Sequence, residues 1–150
     1  MYLPTSLAAT IKDGEAPVIM AKIHLRFRVS ADEEQVEMVG FCNEQRFDLQ
    51  IRAHHYPLLL LARRRLADQG AGVPGPEQGW VQLDDLLDML RMQETHLNIS
   101  IHRARTQLSR LGIIDAASLI ERRPRMKRLR IGVSSIEVAP LDSVPQPSKP

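Results

Sequence analysis

Few side chains in this chain can carry chemistry, and their spacing limits what each can do. Five histidines (His24, His54, His55, His96 and His102) and a single cysteine, Cys42, are the candidate metal ligands and proton carriers. Zinc needs four N or S donors, usually arranged as two close pairs. His54 and His55 are neighbours that diverge on a helix, His96 and His102 are six apart and face different ways, and no Cys and His pair has zinc spacing. Asp84, Asp85 and Asp88 form the acidic cluster of a predicted helix. Asp84 and Asp88 share a face, as a Mg²⁺ chelate or an acid–base pair would, but acids in a first turn are accounted for by the helix macrodipole. The stretch GAGVPGPEQG has glycines without the lysine or the strand-to-helix context of a phosphate loop, and no nucleophile signature accompanies any Ser or Cys. These patterns predict no catalytic centre, no metal and no cofactor, so the expectation is a protein that is not an enzyme.

The remaining chemistry is electrostatic. Residues 91–130 hold ten Lys and Arg against three acids, a net charge of +7. The rest of the chain holds ten basic and fifteen acidic residues, so a total of +2 conceals a strong charge asymmetry. Within the window, helical spacing places Leu97, Ile101, Ala104, Leu108 and Leu111 in one apolar stripe. Thr95, Ile99, His102, Arg103, Thr106 and Arg110 then occupy the opposite face, with Asn98 and Arg105 on its shoulder. Arg bonds bidentately to guanine, Asn to adenine, and an exposed Ile or Thr methyl meets the methyl of thymine, so these are the residue types of a major-groove reader. Just downstream, LIERRPRMKRLRIG reads as a two-stranded ribbon in which Arg128 and Arg130 project from one side and Arg123, Arg125 and Lys127 crowd the turn. A basic helix followed at once by a basic ribbon suits a winged helix that lays its helix in the major groove and its ribbon along the phosphates.

Other elements must hold that pair in place. From Lys22 the chain alternates strictly, with Ile23, Leu25, Phe27 and Val29 opposite His24, Arg26 and Arg28, as in a half-buried antiparallel strand. Residues 35–42 and 46–51 read as two further strands, completing a small antiparallel sheet with one face to cover. The cover is a helix over residues 55–69 carrying Leu58, Leu59, Leu61, Ala62 and Leu66, with Arg63, Arg64 and Arg65 outward and Gly70 as its stop. A short strand at residues 80–82 and a helix at 83–92 precede the basic helix, and strands at 117–123 and 127–133 follow it. The predicted fold class is α+β: a winged helix-turn-helix with a small N-terminal antiparallel sheet, three helices and a C-terminal hairpin wing. Residues 1–21 are expected to be a flexible arm, 22–135 the winged-helix domain, and 136–150 a disordered proline-rich tail.

At this point a family is visible. Ile99 to Leu108, ISIHRARTQL, resembles the recognition helix of the OmpR/PhoB-type winged-helix domain, whose usual pattern is close to V-x-I-x-R-L-R-x-x-L. Ile99, Ile101, Arg103, Arg105 and Leu108 match, and Ala104 stands for the usual Leu. The order of elements over residues 22–135 is also similar, including RFDLQIRAHHYPLLLLA before the first helix and GWVQLDDLLDML ahead of the second. The resemblance implies that Arg103 and Arg105 touch DNA and that the hairpin reaches the minor groove. The chain departs from the family at the turn Pro124-Arg125-Met126-Lys127, which is neither glycine-rich nor followed by an aromatic, and at His54-His55, where a Glu is usual. The family's receiver domain is not expected within these 150 residues, so the resemblance does not carry phosphorylation control with it.

Composition bounds the rest. The lone cysteine argues for a reducing compartment, the N-terminus carries no signal-peptide pattern, and the apolar run YPLLLLA is far too short for a membrane span. Six aromatics in all weigh against base-stacking recognition of single strands or RNA. The expectation is a small bacterial cytoplasmic transcription regulator acting on double-stranded DNA, as a homodimer or in tandem, with the N-terminal sheet left to a protein partner. The alternative is a winged-helix module that binds protein within a larger assembly.

Overall fold

The computed structural model describes residues 17–141, which form an α+β fold of two sheets and three helices. Strands β1 (His24–Val29), β2 (Val36–Cys42) and β3 (Gln45–Ile51) build the N-terminal meander, each turn supplied by local chemistry. Between β1 and β2, Asp32 accepts from the Glu34 N–H and the Ser30 hydroxyl, bonds that hold its carboxyl below the usual range. Between β2 and β3, Asn43 takes the left-handed conformation that Asn tolerates best among non-glycine residues. The β2–β3 register shifts between Met38 and Val39, which oppose Gln50 and Asp48, with Gln50 also left-handed and its N–H held by Asp48.

The sheet is not purely antiparallel. Strand β7 (Ser135–Pro140) lies parallel to β1 from His24↔Ser135 to Val29↔Pro140, giving the order β3-β2-β1-β7. Residues 136–140 therefore belong to the fold, not to the tail expected from 136. Ile136 is buried and Val138 partly so, on the side opposite Ser135 and Glu137, and Pro140 is tolerated because it ends an edge strand. The expected arm is likewise corrected at its end. Val18 bridges Ile113, the Met20 N–H donates to Asp115 Oδ1 at 2.8 Å, and Met20 is buried. Residues 1–16 and 142–150 lie outside the described residues.

The inner face of the sheet, with Leu25, Phe27, Met38, Phe47 and Leu49, is covered by helices. Helix α1 (Tyr56–Gly70) contributes Leu58, Leu59, Leu61 and Ala62, and α3 (Glu94–Arg110) contributes Leu97, Ile101, Ala104 and Leu108. Helix α1 runs through Gly70, and Gly72, at φ +78°, makes the turn that the sequence assigned to Gly70. Arg65 does not point outward as expected but is 5% exposed, its Nη1 donating to the Ile131 carbonyl at 2.9 Å. Gly79, at φ +79°, lies against its stem, where a Cβ would meet the Arg65 Cβ at 2.9 Å. Strand β4 (Val81–Gln82) leads into α2 (Leu83–Leu90) and pairs with the C-terminal hairpin, β5 (Ile120–Arg123) and β6 (Arg128–Ile131), in the order β4-β6-β5. No helix among the described residues is long and apolar enough to cross a membrane.

Candidate nucleic-acid interface

Helix α3 turns one stripe inward and leaves the other open. Leu97, Ile101, Ala104 and Leu108 are buried, and Ser100 joins them. Leu111, placed in the same stripe by the wheel, lies just beyond the helix end and is exposed. Thr95, Asn98, Ile99, His102, Arg103 and Arg110 are exposed, and Thr106 is half-buried. Ile99, at 43% exposure, is a branched apolar side chain held out among polar ones. Arg110 in the last turn complements the macrodipole.

Arg105 differs from Arg103. Its Nη2 donates to the Ala117 carbonyl at 3.0 Å, and its Nε is buried with no hydrogen-bond partner among the described residues. Burial, and after it the charge of nearby Arg122, push its guanidinium below the usual range. Arg105 therefore braces the 3₁₀ turn Ala116–Leu119 against α3, while Arg103 stays at the surface.

The hairpin has two unlike faces, as its pairing requires. Ile120↔Ile131 and Arg122↔Leu129 place Ile120, Leu129 and Ile131 on the core side. Arg122 extends past that apolar group, and its Nη2 donates to Asn98 Oδ1 at 3.0 Å. This bond joins ribbon to helix across the exposed surface. Glu121↔Arg130 and Arg123↔Arg128 form the opposite face. There Arg123 and Arg130 stack on Trp80, with guanidinium carbons 4.1 and 4.6 Å from the ring centroid. Arg130 also donates to the carbonyls of Gly75, Pro76 and Gln78 and pairs with Glu121 at 2.6 Å. Arg123 donates to the Pro76 carbonyl and lies 3.7 Å from Glu77. Arg123 and Arg130, read from the sequence as candidate phosphate contacts, thus clamp the 75–80 loop. Arg128, on the same face, is half-buried.

Arg125 and Lys127 at the tip are exposed and form no salt bridge with any described residue; the same holds for Arg103, Arg110 and Arg122. Arg122, Lys127 and Arg128 share a groove of about 300 Å³ with Asp84 and Glu94, at the start of α2 and α3. Arg122 was not among the residues singled out from sequence. Its signal was there: in a ribbon of period two, Arg122 falls on the same side as Ile120, the side that faces α3.

The histidines also behave differently from their sequence reading. His54 and His55 lie in the 3₁₀ turn Ala53–His55 and at its junction with α1, not on a regular helix, and both Nε2 atoms face Gln107 Oε1, at 2.8 and 2.9 Å. Gln107 comes from α3 and is oriented by donating to the Leu49 carbonyl at 2.8 Å. Nδ1 of His55 faces the Val36 carbonyl at 3.0 Å. A neutral imidazole has one N–H, so it serves one of these two acceptors at a time. The imidazolium would satisfy both, but burial outweighs that gain and lowers the His55 pKa to about 4, with His54 and Arg52 adding to the shift. Among the described residues, no group of three or more His, Cys, Asp or Glu could hold a metal ion.

Compared with protein-family models, with curated proteins and with solved structures, the chain matches none.

Proposed function

We propose that this chain is a winged-helix protein that binds double-stranded DNA, reading the major groove with α3 and holding the backbone with the hairpin. The observation that carries this reading is the Arg122–Asn98 bond, which makes helix and ribbon one continuous surface. Arg103, Arg110, Arg122, Arg125 and Lys127 form no salt bridge with a described residue, the condition in which cations can release counterions from a polyanion. Arg103, His102, Asn98 and Ile99 are the base-reading candidates; Arg122, Arg125, Lys127 and Arg128 face phosphate. A module of this size covers a short site, so tandem or dimeric binding fits a transcription regulator.

A second reading, a winged-helix module that docks on a protein, is favoured by the exposed first-turn acids Asp84 and Asp85 of α2, which repel phosphate, and by the engagement of Arg123 and Arg130 with the 75–80 loop. Fluorescence anisotropy with a random duplex of roughly three helical turns, at low and moderate salt, separates the two. DNA binding predicts affinity that falls steeply with salt. Arg103→Ala is expected to cost about 1–3 kcal/mol and to relax selectivity, and Arg125→Ala to weaken all sequences alike. Equal affinity of the wild type and an Arg103→Ala/Arg105→Ala double variant would reject the DNA reading.

A further inference from the structure

We propose that Met126 is a wedge that enters the minor groove and unstacks a base step, so that the protein binds bent DNA; this rests on the DNA-binding reading. Met126 is 50% exposed at the outermost turn of the hairpin and takes no part in the core cluster. Packing does not explain a long apolar side chain there, and its neighbours Arg125 and Lys127 are both exposed cations. An apolar side chain flanked in sequence by two exposed cations disfavours a basic protein surface and suits a polyanion with an apolar interior, which is what stacked bases between two phosphate rails provide.

The tip is also stiff enough to push. Pro124–Met126 form a 3₁₀ turn closed by the Lys127 N–H donating to the Pro124 carbonyl at 3.1 Å, with Lys127 in the left-handed region at φ 53°. The Lys127 carbonyl accepts from the Leu83 N–H at 2.8 Å, tying the turn to the start of α2. The strands behind it are clamped by the stacking of Arg123 and Arg130 on Trp80. Wedging costs unstacking energy, which a floppy loop would avoid by folding back, and a braced turn delivers it to the DNA. The preferred sites are duplexes with flexible pyrimidine–purine steps, above all TA, where kinking is cheapest.

The test uses end-labelled duplexes of roughly three helical turns, one rich in TA steps and one a uniform A-tract, with affinity and end-to-end energy transfer measured for wild type, Met126→Ala and Met126→Leu. Wild type should bind the TA-rich duplex about tenfold more tightly and bring its ends closer. Met126→Ala should lose that preference and the shortening while binding the A-tract within about twofold of wild type, and Met126→Leu should keep both. The side chain lies at the surface, so all three proteins should melt alike. Binding without shortening, or equal shortening by wild type and Met126→Ala, overturns the wedge and leaves the DNA reading standing. Absence of binding to either duplex overturns both.

Discussion

His55 shows how little a residue type says without its surroundings. A histidine pair before a helix reads as two diverging side chains, yet a 3₁₀ turn brings both onto a single amide oxygen of α3. The burial of His55 there, which outweighs the bond to Gln107, makes the protein acid-sensitive in a definite direction. At a pH above about 6.5 His55 is neutral whether folded or unfolded and contributes nothing to the pH dependence. As the pH falls below that value the unfolded chain takes up a proton that the folded one refuses until about pH 4, so stability is lost across that window. The loss approaches roughly 3 kcal/mol at its lower end, and His54, shifted down by burial first and then by Arg103 and Arg52, pulls the same way. Urea titrations at about pH 7 and pH 5 should show the midpoint dropping in wild type and far less in His55→Gln, which has no proton to gain. The same pH slope in both proteins would assign the acid sensitivity to other groups.

Elements were legible where periodicity is local. The alternation of Leu25, Phe27 and Val29, the apolar stripe of α3 and the basic ribbon all follow from spacings of two or of three and four. What escaped depends on partners far away in sequence: Arg123 and Arg130 turn from phosphate contacts into clamps because Trp80 lies beneath them. The ends of the hairpin are another case. Strand 117–123 shortens to Ile120–Arg123 because Ala116–Leu119 forms a 3₁₀ turn whose Leu119 carbonyl accepts the Gly132 N–H at 2.7 Å. At Gly132 a Cβ would lie 2.1 Å from the Ser118 carbonyl oxygen, which is backbone and cannot swing aside. Gly132→Ala should therefore destabilise the protein by about 1–3 kcal/mol, read as a drop of several degrees in Tm. Gly70→Ala is the control: a Cβ there meets nothing within 4 Å, so the variant should be stabilised by about 0.4–1 kcal/mol. A Gly132→Ala protein that melts with wild type would mean that the 116–119 turn gives way freely.

At the scale of the whole molecule, the two sheets are linked because β7 returns from the hairpin to pair with β1 at the edge of the meander. This is the part of the fold least legible in sequence. Residues 135–140 pair with 24–29 across more than a hundred positions, and their brief alternation of Ile136 and Val138 leads straight into a proline-rich stretch. The link is reinforced from α1, where Arg65 holds the Ile131 carbonyl and Gln69 the Ser134 carbonyl, on either side of the connection between the sheets. Coupling of this kind predicts a single cooperative transition. Trp80 reports from beneath the hairpin, while far-UV circular dichroism averages over all elements, so the two probes should give coincident urea midpoints. Ile136→Ala removes buried apolar volume from β7 and should cost about 2–5 kcal/mol. A single transition requires that this loss move both midpoints equally, although Trp80 belongs to the other sheet's surroundings. If instead the dichroism midpoint shifts and the Trp80 midpoint stays, the hairpin is a separate folding unit, and β7 does not transmit stability to the surface that carries Arg122 and Asn98.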